Sequence, residues 1–218
     1  MIHVYYHIYA IDGVESIVDE QLELINTFFD FNYILNIGIS IANENQSICN
    51  IIEKFNKPNF KIREVRAFGN EFTTIDLIEK DKQKFGNSDY ILYLHTKGAS
   101  KQHNENVIHW RHLMNYFNIE KVKNVFKLFE KTEFNTYGVI LKGHFYSGNF
   151  WWANSSYIKQ LPTIDEIKFP KIPPILSIRH NCEFWIGMGN GKLKSLWNSY
   201  INVYERHLHR YDTMEYKK

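Results

Sequence analysis

The chain predicts an α/β fold in which a mostly parallel central sheet is flanked by helices. Over residues 3–98, short apolar or β-branched runs alternate with segments whose apolar residues recur at helical spacing. This alternation is typical of parallel sheets that carry helices on both faces. The run at residues 90–94 is apolar or aromatic throughout, as expected of a strand buried on both faces in the middle of such a sheet.

Length and composition fit one globular domain that spans residues 1–218, with 44% apolar and 23% charged residues. No stretch reaches about 18 uninterrupted apolar residues, and the N-terminus lacks a basic segment followed by an apolar one. We therefore expect a soluble, cytoplasmic protein without a transmembrane segment, and peripheral contact with a membrane stays open. A net charge of +2 argues against nucleic acid as the main partner.

The first half of the chain predicts four strands joined by three helices. Each predicted strand is rich in Tyr, Val, Ile or Leu, and each predicted helix carries apolar residues three or four positions apart. The predicted strands are residues 3–10, 33–41, 60–67 and 90–94, and the predicted helices are residues 14–29, 47–55 and 72–85. The connections between parallel strands should be right-handed.

The second half predicts helices mixed with shorter strands. It opens with a polar segment, residues 99–106, which predicts a mobile loop. The predicted helices are residues 107–117, 119–129, 155–161 and 181–188, and the predicted strands are residues 136–141 and the aromatic run at residues 144–153. Three of the five prolines fall within residues 163–174, which predicts an extended and stiffened loop.

Polar residues follow the buried run at the point where the fourth predicted strand ends. His95 and Lys97 would leave the same face of that strand, Thr96 lies between them, and Gly98 can adopt a turn closed to other residues. In open α/β sheets, ligands bind outside the carboxyl ends of the strands. Two potential cations there suit an anion such as a phosphate, and the alternative is an ordinary solvated turn.

Three further residues and one aromatic segment are candidates, and each has a structural alternative. Arg111 could bind a phosphate bidentately or cap a surface face. Glu71 opens a helix that points towards the same sheet edge, or it is a first-turn carboxylate favoured by the helix dipole. Two tryptophans within residues 147–152 could stack on a sugar or fill a core strand. Glu183 could act as a general base or simply pair with Arg179.

Several well-known motifs are absent from the sequence. There is no Gly-x-Gly-x-x-Gly after the first strand, no P-loop and no Gly-x-Ser-x-Gly elbow, which argues against dinucleotide-binding dehydrogenases, P-loop NTPases and α/β-hydrolases. Asp-x-Asp, which sugar-nucleotide enzymes usually use to hold a divalent cation, is also absent. Fixed cations at His95 and Lys97 could replace the metal by stabilising a diphosphate leaving group. His207 and His209 form the pair with a recognised spacing, and a metal-ligand role for them stays open.

Four segments, taken in order, resemble a group of GT-A-type glycosyltransferases. Related His-Thr-Lys segments occur in rhamnan-synthesis proteins, in capsule and lipopolysaccharide gene clusters and in large DNA viruses. The segments are Tyr-Leu-His95-Thr96-Lys97-Gly98, Trp110-Arg111, Ser147-Gly-Asn149-Phe-Trp151-Trp152-Ala153, and Arg179 with Glu183-Phe-Trp185-Ile-Gly187. The similarity implies a single GT-A-like domain with a Rossmann-like N-terminal half. Residues 1–98 would bind the nucleotide and residues 99–218 the acceptor.

The resemblance also implies a role for each candidate residue. A nucleotide-sugar donor would lie at the ends of the early strands, and Glu183 matches the region where inverting enzymes place the base that deprotonates the acceptor hydroxyl. The base and ribose of the donor would lie near Ala10, Ile11 and Asp12, and its diphosphate near His95 and Lys97. The sugar or acceptor pocket would be lined by Asn149, Trp151 and Trp152. The predicted donor site is completed by Glu71, Thr96, Arg111 and Arg179. No cofactor is expected beyond the donor, with Mn²⁺ or Mg²⁺ as the alternative.

The sequence thus leads to the hypothesis of a glycosyltransferase in bacterial or viral polysaccharide biosynthesis. It would transfer a hexosyl or pentosyl group from a nucleoside-diphosphate donor, with UDP favoured, to a hydroxyl of a glycan or glycoconjugate, with inversion. A metal-dependent retaining enzyme that uses the C-terminal histidines is the alternative within this class. Outside it, the alternatives are a carbohydrate-binding module or inactive homologue, and a nucleotide-binding regulatory domain.

Overall fold

The computed structural model describes residues 1–43, 48–164, 181–201, 205 and 208–217. The strands within these ranges are β1 (Ile2–Ala10), β2 (Tyr33–Ile41), β3 (Phe60–Ala67), β4 (Tyr90–His95), β5 (Thr136–Gly138), β6 (Leu141–Lys142), β7 (Phe145–Tyr146), β8 (Trp151–Asn154) and β9 (Leu193–Ser195). The α-helices are α1 (Glu15–Phe28), α2 (Cys49–Glu53), α3 (Phe72–Asp81), α4 (Glu105–Asn115), α5 (Val122–Lys131), α6 (Ser155–Ile158), α7 (Asn181–Trp185) and α8 (Thr213–Tyr216). None of them is both long and apolar enough to cross a bilayer.

The central sheet has seven strands in the order β3-β2-β1-β4-β8-β5-β9. The four N-terminal strands are parallel, β8 runs antiparallel to both β4 and β5, and β9 is parallel to β5. The predicted α/β fold with a mostly parallel central sheet is confirmed. The register of β1 with β4 places His7 directly beside His95, so two histidines lie side by side where β4 ends, while β1 continues to Ala10.

Two apolar clusters cover the two faces of the sheet. On one face, α1, α2, α4 and α5 pack against residues such as Val4 and Tyr6 of β1. On the other face, α3, α6 and α7 pack against Tyr5 of β1 and Tyr93 of β4. Because successive side chains of a strand point to opposite faces, His7 and His95 project on the same face as Tyr5 and Tyr93, the one covered by α3.

The parallel half matches the predicted elements closely, and the second half departs from them in several places. The helix predicted to end at residue 117 stops at Asn115 and continues as a π-helical turn, Tyr116–Glu120. The strand predicted at residues 136–141 breaks because Ile140 adopts a left-handed backbone with φ of 54°. The polar segment at residues 99–106 contains a short 3-10 helix, Ala99–Lys101, and Asn104 caps α4 by accepting a hydrogen bond from the Val107 amide at 3.2 Å.

The aromatic run at residues 144–153 forms two strands instead of one. A turn separates β7 from β8, and it contains Gly148 and Asn149 with φ of 90° and 56°. A Cβ on Gly148 would lie 2.4 Å from Met114 Sδ, so this turn requires glycine for space as well as for its backbone angle. Most of the predicted loop at residues 163–174 lies outside the described residues.

Candidate functional site

A cleft of about 410 Å³ opens at the carboxyl ends of β1 and β4. Its walls come from the strand ends, from the turn at residues 69–71, from residues 98–101 and from Trp110 on α4. Glu183 of α7 lines the same cleft. The structure therefore brings together five of the residues predicted for the site: Glu71, His95, Thr96, Lys97 and Glu183.

His95 forms the floor of the cleft and is 7% exposed. Its Nε2 lies 2.9 Å from the carbonyl oxygen of Gly148, and because a carbonyl only accepts hydrogen bonds, Nε2 carries a hydrogen. The other ring nitrogen, Nδ1, lies 3.8 Å from Oε1 of Glu71. The carboxylate of Glu71 therefore lies near Nδ1 but beyond hydrogen-bond distance.

Glu71 is held by several groups that favour its charged form. Burial alone would raise the pKa of this carboxyl, but the electrostatic influence of the neighbouring side chains, led by His95 and including Lys97, and the hydrogen bond from the amide of Asn149 outweigh burial and lower the pKa. The cleft thus contains an ionised carboxylate close to the ammonium of Lys97.

Asn149 connects the turn before β8 to the floor of the cleft. Its Nδ2 donates to Oε2 of Glu71 at 3.2 Å, and its Oδ1 accepts from the indole Nε1 of Trp151 at 3.0 Å. Since His95 also donates to the carbonyl of Gly148, the turn is fixed at two successive residues. Asn149 is 1% exposed, and both the nitrogen and the oxygen of its side-chain amide form hydrogen bonds within the protein.

His7 lies beside His95, and burial has a large effect on its pKa. It is 2% exposed, and its Nδ1 lies 3.0 Å from Oγ1 of Thr74 on α3. Burial lowers its pKa to about 3, a shift that Glu71 opposes and His95 reinforces. His7 is therefore neutral near pH 7.

Lys97 supplies the positive charge at the open side of the cleft. Its Nζ lies 4.3 Å from the ring centroid of Trp110, and among the described residues it forms no ion pair with a carboxylate. Thr96 is buried, and its Oγ1 accepts a hydrogen bond from the Tyr9 amide at 2.9 Å, which joins the ends of β1 and β4. Gly98 turns the chain at φ of 86°, where a Cβ would lie 2.8 Å from Val107.

The structure corrects the prediction that Arg111 binds a phosphate, because its guanidinium is already occupied inside the protein. Arg111 is 5% exposed, its Nη2 donates to Oε2 of Glu20 at 2.8 Å, and its Nη1 donates to the carbonyl of Lys97 at 3.1 Å. Despite burial, Arg111 and His112 lower the pKa of Glu20 to about 2. Arg111 thus supports the backbone of the cleft turn.

Gln21 extends this support to the neighbouring strand end. Its Nε2 donates to the carbonyl of His95 and to Oδ1 of Asn115, both at 3.2 Å, and its Oε1 accepts from the hydroxyl of Tyr6 at 2.7 Å. Asn115 in turn donates to Glu20 at 2.7 Å. A buried polar network therefore holds the carbonyls of both His95 and Lys97.

The prediction that Trp151 and Trp152 line a sugar pocket is wrong for this structure. Both indoles are 0% exposed. Trp151 lies in the apolar cluster beneath α3 and α7, and Trp152 lies in the cluster on the opposite face, where its Nε1 donates to the carbonyl of Asn118 at 2.9 Å. Neither ring presents a face to a ligand.

The residues predicted to contact the base and ribose of a donor nucleotide lie at the same sheet edge but do not line the cleft. The side chain of Ala10 is fully buried, Ile11 packs against the adjoining apolar cluster, and the carbonyl of Asp12 accepts a hydrogen bond from Gln102 at 2.6 Å. Arg179 and His207 lie outside the described residues. His209 is described, and its ring packs against Tyr211 at 4.8 Å.

Sequence reasoning missed several residues that the structure places at the site. Tyr9, Asn70 and Lys101 line the cleft, and they carry no sequence signal that separates them from other polar or aromatic positions. Trp110 also lines it; this residue lies in one of the segments of the resemblance but was given no role there. Gln21 did carry a signal, because it is a polar residue at a position where α1 otherwise buries apolar ones: Ile17, Val18, Leu22 and Ile25.

The arrangement can bind an anion at Lys97 and can accept a proton at a carboxylate in the same cleft. Opposite charges within one cleft suit a substrate that combines a phosphate with a hydroxyl-bearing group. No group of three or more His, Cys, Asp or Glu side chains that could hold a metal ion occurs among the described residues.

Comparison with known proteins places the chain in a family. Residues 3–171 match the family described as Domain of unknown function (DUF8361). The chain belongs to this family. No curated protein matches it.

One similar solved structure is a 4-diphosphocytidyl-2C-methyl-D-erythritol synthase from Anaerococcus prevotii DSM 20548, with 8% sequence identity and a TM-score of 0.44. The alignment covers 99% of this chain and 98% of that one. A likeness at this identity and TM-score says nothing about activity.

Proposed function

We propose that the protein is a glycosyltransferase that uses a nucleoside-diphosphate sugar, with UDP favoured, and a hydroxyl acceptor on a glycan. The observation that carries the proposal is one cleft that combines Lys97, whose ammonium has no carboxylate partner among the described residues, with the carboxylates of Glu71 and Glu183. This cleft lies at the carboxyl ends of parallel strands, where open α/β sheets bind their ligands.

The proposed reaction is a direct displacement with inversion. The acceptor oxygen attacks the anomeric carbon, the bond from that carbon to the diphosphate oxygen breaks, and Glu183 takes the acceptor proton. Negative charge develops on the leaving diphosphate, and the fixed positive charges of Lys97 and His95 stabilise it by electrostatic preorganisation. The hydrogen bond to the carbonyl of Gly148 holds His95 in the orientation that this role requires.

The alternatives differ in what they require of the site. A carbohydrate-binding module would need the rings of Trp151 and Trp152 as stacking surfaces, and their complete burial speaks against it. A metal-dependent retaining enzyme would need a ligand such as His209 near the cleft, and His209 is not among the residues that line it. A nucleotide-binding regulatory domain would share the phosphate site and lack the transfer reaction.

Nucleotide binding is the first test of this proposal. The melting temperature would be measured with UDP, GDP, CMP and TDP, each with manganese and with EDTA, because a ligand that binds only the native state raises apparent stability. We expect one nucleoside diphosphate to raise it in EDTA, and Lys97→Met to abolish the shift. Lys127→Met, at an exposed position on α5, is the matched control. No shift with any nucleotide would overturn the donor site, and a shift that needs manganese would favour the metal-dependent alternative.

The transfer reaction is tested separately. Glu183→Gln keeps the shape of the side chain and removes the base, so sugar transfer should fall by about 100-fold or more while nucleotide binding persists. Glu53→Gln makes the same chemical change at an exposed position and should leave transfer unchanged. Full transfer by a folded Glu183→Gln protein would show that Glu183 is not the base.

A further inference from the structure

Phe68, directly after β3, combines two unfavourable features. Its side chain is 65% exposed, and its backbone is left-handed with φ of 53°, a region that bulky residues rarely adopt. In the part of the chain that the structure describes, Phe68 belongs to neither apolar cluster and contacts no other aromatic ring at close range. Strained residues of this kind cluster at functional sites.

The neighbouring backbone explains why the ring points outwards. The Phe68 amide donates to the carbonyl of Ile41 at 2.9 Å, which ties the end of β3 to the end of β2. A Cβ on Gly69 would lie 2.6 Å from Oγ of Ser40 and 2.8 Å from Oγ1 of Thr73. The chain is pressed against β2 and α3 at this point, so the side chain before it has no space on the inner side.

Asn70 follows two residues later and lines the cleft. Its Oδ1 accepts a hydrogen bond from the Phe72 amide at 2.9 Å, which fixes the orientation of the side-chain amide because nitrogen could not accept this bond. Its Nδ2 donates to no acceptor among the described residues. An oriented hydrogen-bond donor without a partner therefore stands at the cleft wall next to an exposed aromatic ring.

We infer that Phe68 and Asn70 form the nucleobase subsite of the donor, an inference that rests on the proposed function. The ring stacks on the base, and the amide of Asn70 donates to a carbonyl oxygen on the edge of the base. Strands are about 4.8 Å apart, so the three spacings from β3 to β4 place Phe68 roughly 14 Å from Lys97. Asn70 lies between them, because its carbonyl accepts a hydrogen bond from Oγ of Ser40 on β2 at 3.2 Å. An extended nucleoside diphosphate covers a span of this order, with its base at β3 and its phosphates at Lys97.

This subsite selects among bases by their edges. Uracil and guanine carry a carbonyl oxygen that accepts from Asn70, whereas adenine carries none. The subsite lies at the end of β3 instead of at residues 10–12, where the sequence resemblance would place the base. The chemical class of donor that it fits is a uridine, thymidine or guanosine diphosphate sugar, since thymine carries the same carbonyl oxygens as uracil.

The experiment measures dissociation constants of UDP, GDP, ADP and inorganic pyrophosphate by calorimetry. The proteins are the wild type, Phe68→Ala, Asn70→Ser and a control, Met214→Ala. The control shortens another apolar side chain, which is 76% exposed. We expect ADP to bind more weakly than the tighter of UDP and GDP. For that tighter ligand, Phe68→Ala should weaken binding about tenfold and Asn70→Ser about fivefold, with pyrophosphate binding unchanged. Met214→Ala should match the wild type.

Each other result overturns the inference in a distinguishable way. If the wild type binds UDP or GDP and Phe68→Ala binds it equally well, the subsite is wrong while the donor site stands. If Phe68→Ala loses pyrophosphate and nucleotide affinity to the same extent, the ring does not act on the base. Equal affinity for ADP would remove the role of Asn70, and a wild type that binds no nucleotide would remove the proposed function as well.

Discussion

The turn after β4 and the neighbouring strand β8 are the two most conspicuous stretches of the chain, and the structure uses them in opposite ways. His95 and Lys97 open into the cleft, whereas Trp151 and Trp152 are completely buried. In the sheet, Trp151 pairs with Tyr93, two residues before His95. The turn that lines the cleft therefore begins just beyond the point where pairing with β8 ends. The position of a residue relative to that boundary separates cleft-facing side chains from core side chains.

The largest effect that follows from this comparison concerns stability. Trp152→Ala should lower the free energy of unfolding by about 3–5 kcal/mol, because it leaves a cavity between the helices of one face and the sheet. Urea unfolding followed by circular dichroism would measure the loss. Trp152→Phe retains most of the ring volume and should lose less.

The comparison fails if the two regions respond alike. Lys97→Met removes a cation that rests on one face of Trp110, so the free energy of unfolding should change by less than about 1 kcal/mol. An unfolding midpoint for Lys97→Met as low as that of Trp152→Ala would show that the cleft turn is a structural element like β8.

His7 tests the boundary between the two regions, because it borders the cleft and is buried like the core. Its pKa in the folded protein is about 3, against an ordinary value of 6.5, so the unfolded chain takes up the proton first. The stabilisation from neutral His7 is complete above about pH 6.5 and is lost as the pH falls towards 3. Between pH 7 and pH 5 the free energy of unfolding should fall by about 2 kcal/mol.

Two variants identify the source of that pH dependence. His7→Gln should flatten the change in urea midpoint between pH 7 and pH 5, and His103→Gln, at an exposed position, should leave it as in the wild type. Glu20, whose pKa is lowered to about 2, destabilises the protein only below about pH 4.5, outside this window. An unchanged slope in His7→Gln would assign the pH dependence to another group.

Phe68, after β3, is the position where a substitution should raise stability. Phe68→Gly places glycine at a left-handed position, where it fits without strain, and should raise the free energy of unfolding by about 1 kcal/mol. Thermal unfolding would detect a rise of a few degrees, and nucleotide affinity should fall as in Phe68→Ala. A variant that is less stable than the wild type would show that the Phe68 ring contributes to packing.

The sequence predicted the parallel half of the fold well because its signals are local. Alternating β-branched residues define β2 and β3 with the bounds that the structure has, and the change from apolar to polar residues after Leu94 marks the cleft. The fate of Trp151 and Trp152 could not be predicted in this way. Whether an aromatic run is core or binding surface depends on which strands flank it, and the insertion of β8 between β4 and β5 is a long-range property.

Arg111 illustrates the same limit for charged residues. An arginine after a polar loop is equally compatible with a phosphate ligand and with an internal ion pair. Its partner Glu20 lies on α1, far away in the sequence, where the sequence pattern predicts an ordinary solvent-exposed carboxylate. Only the packing of α1 against α4 makes the pair.

The place of β8 in the sheet also has a consequence for synthesis on the ribosome. β4 ends at His95, and its antiparallel neighbour begins only at Trp151, so one edge of an apolar strand stays unpaired while the intervening chain is made. At about 5–20 residues per second, this interval lasts on the order of several seconds. An exposed apolar strand edge is a template for aggregation, and the nascent protein would depend on chaperones during that time.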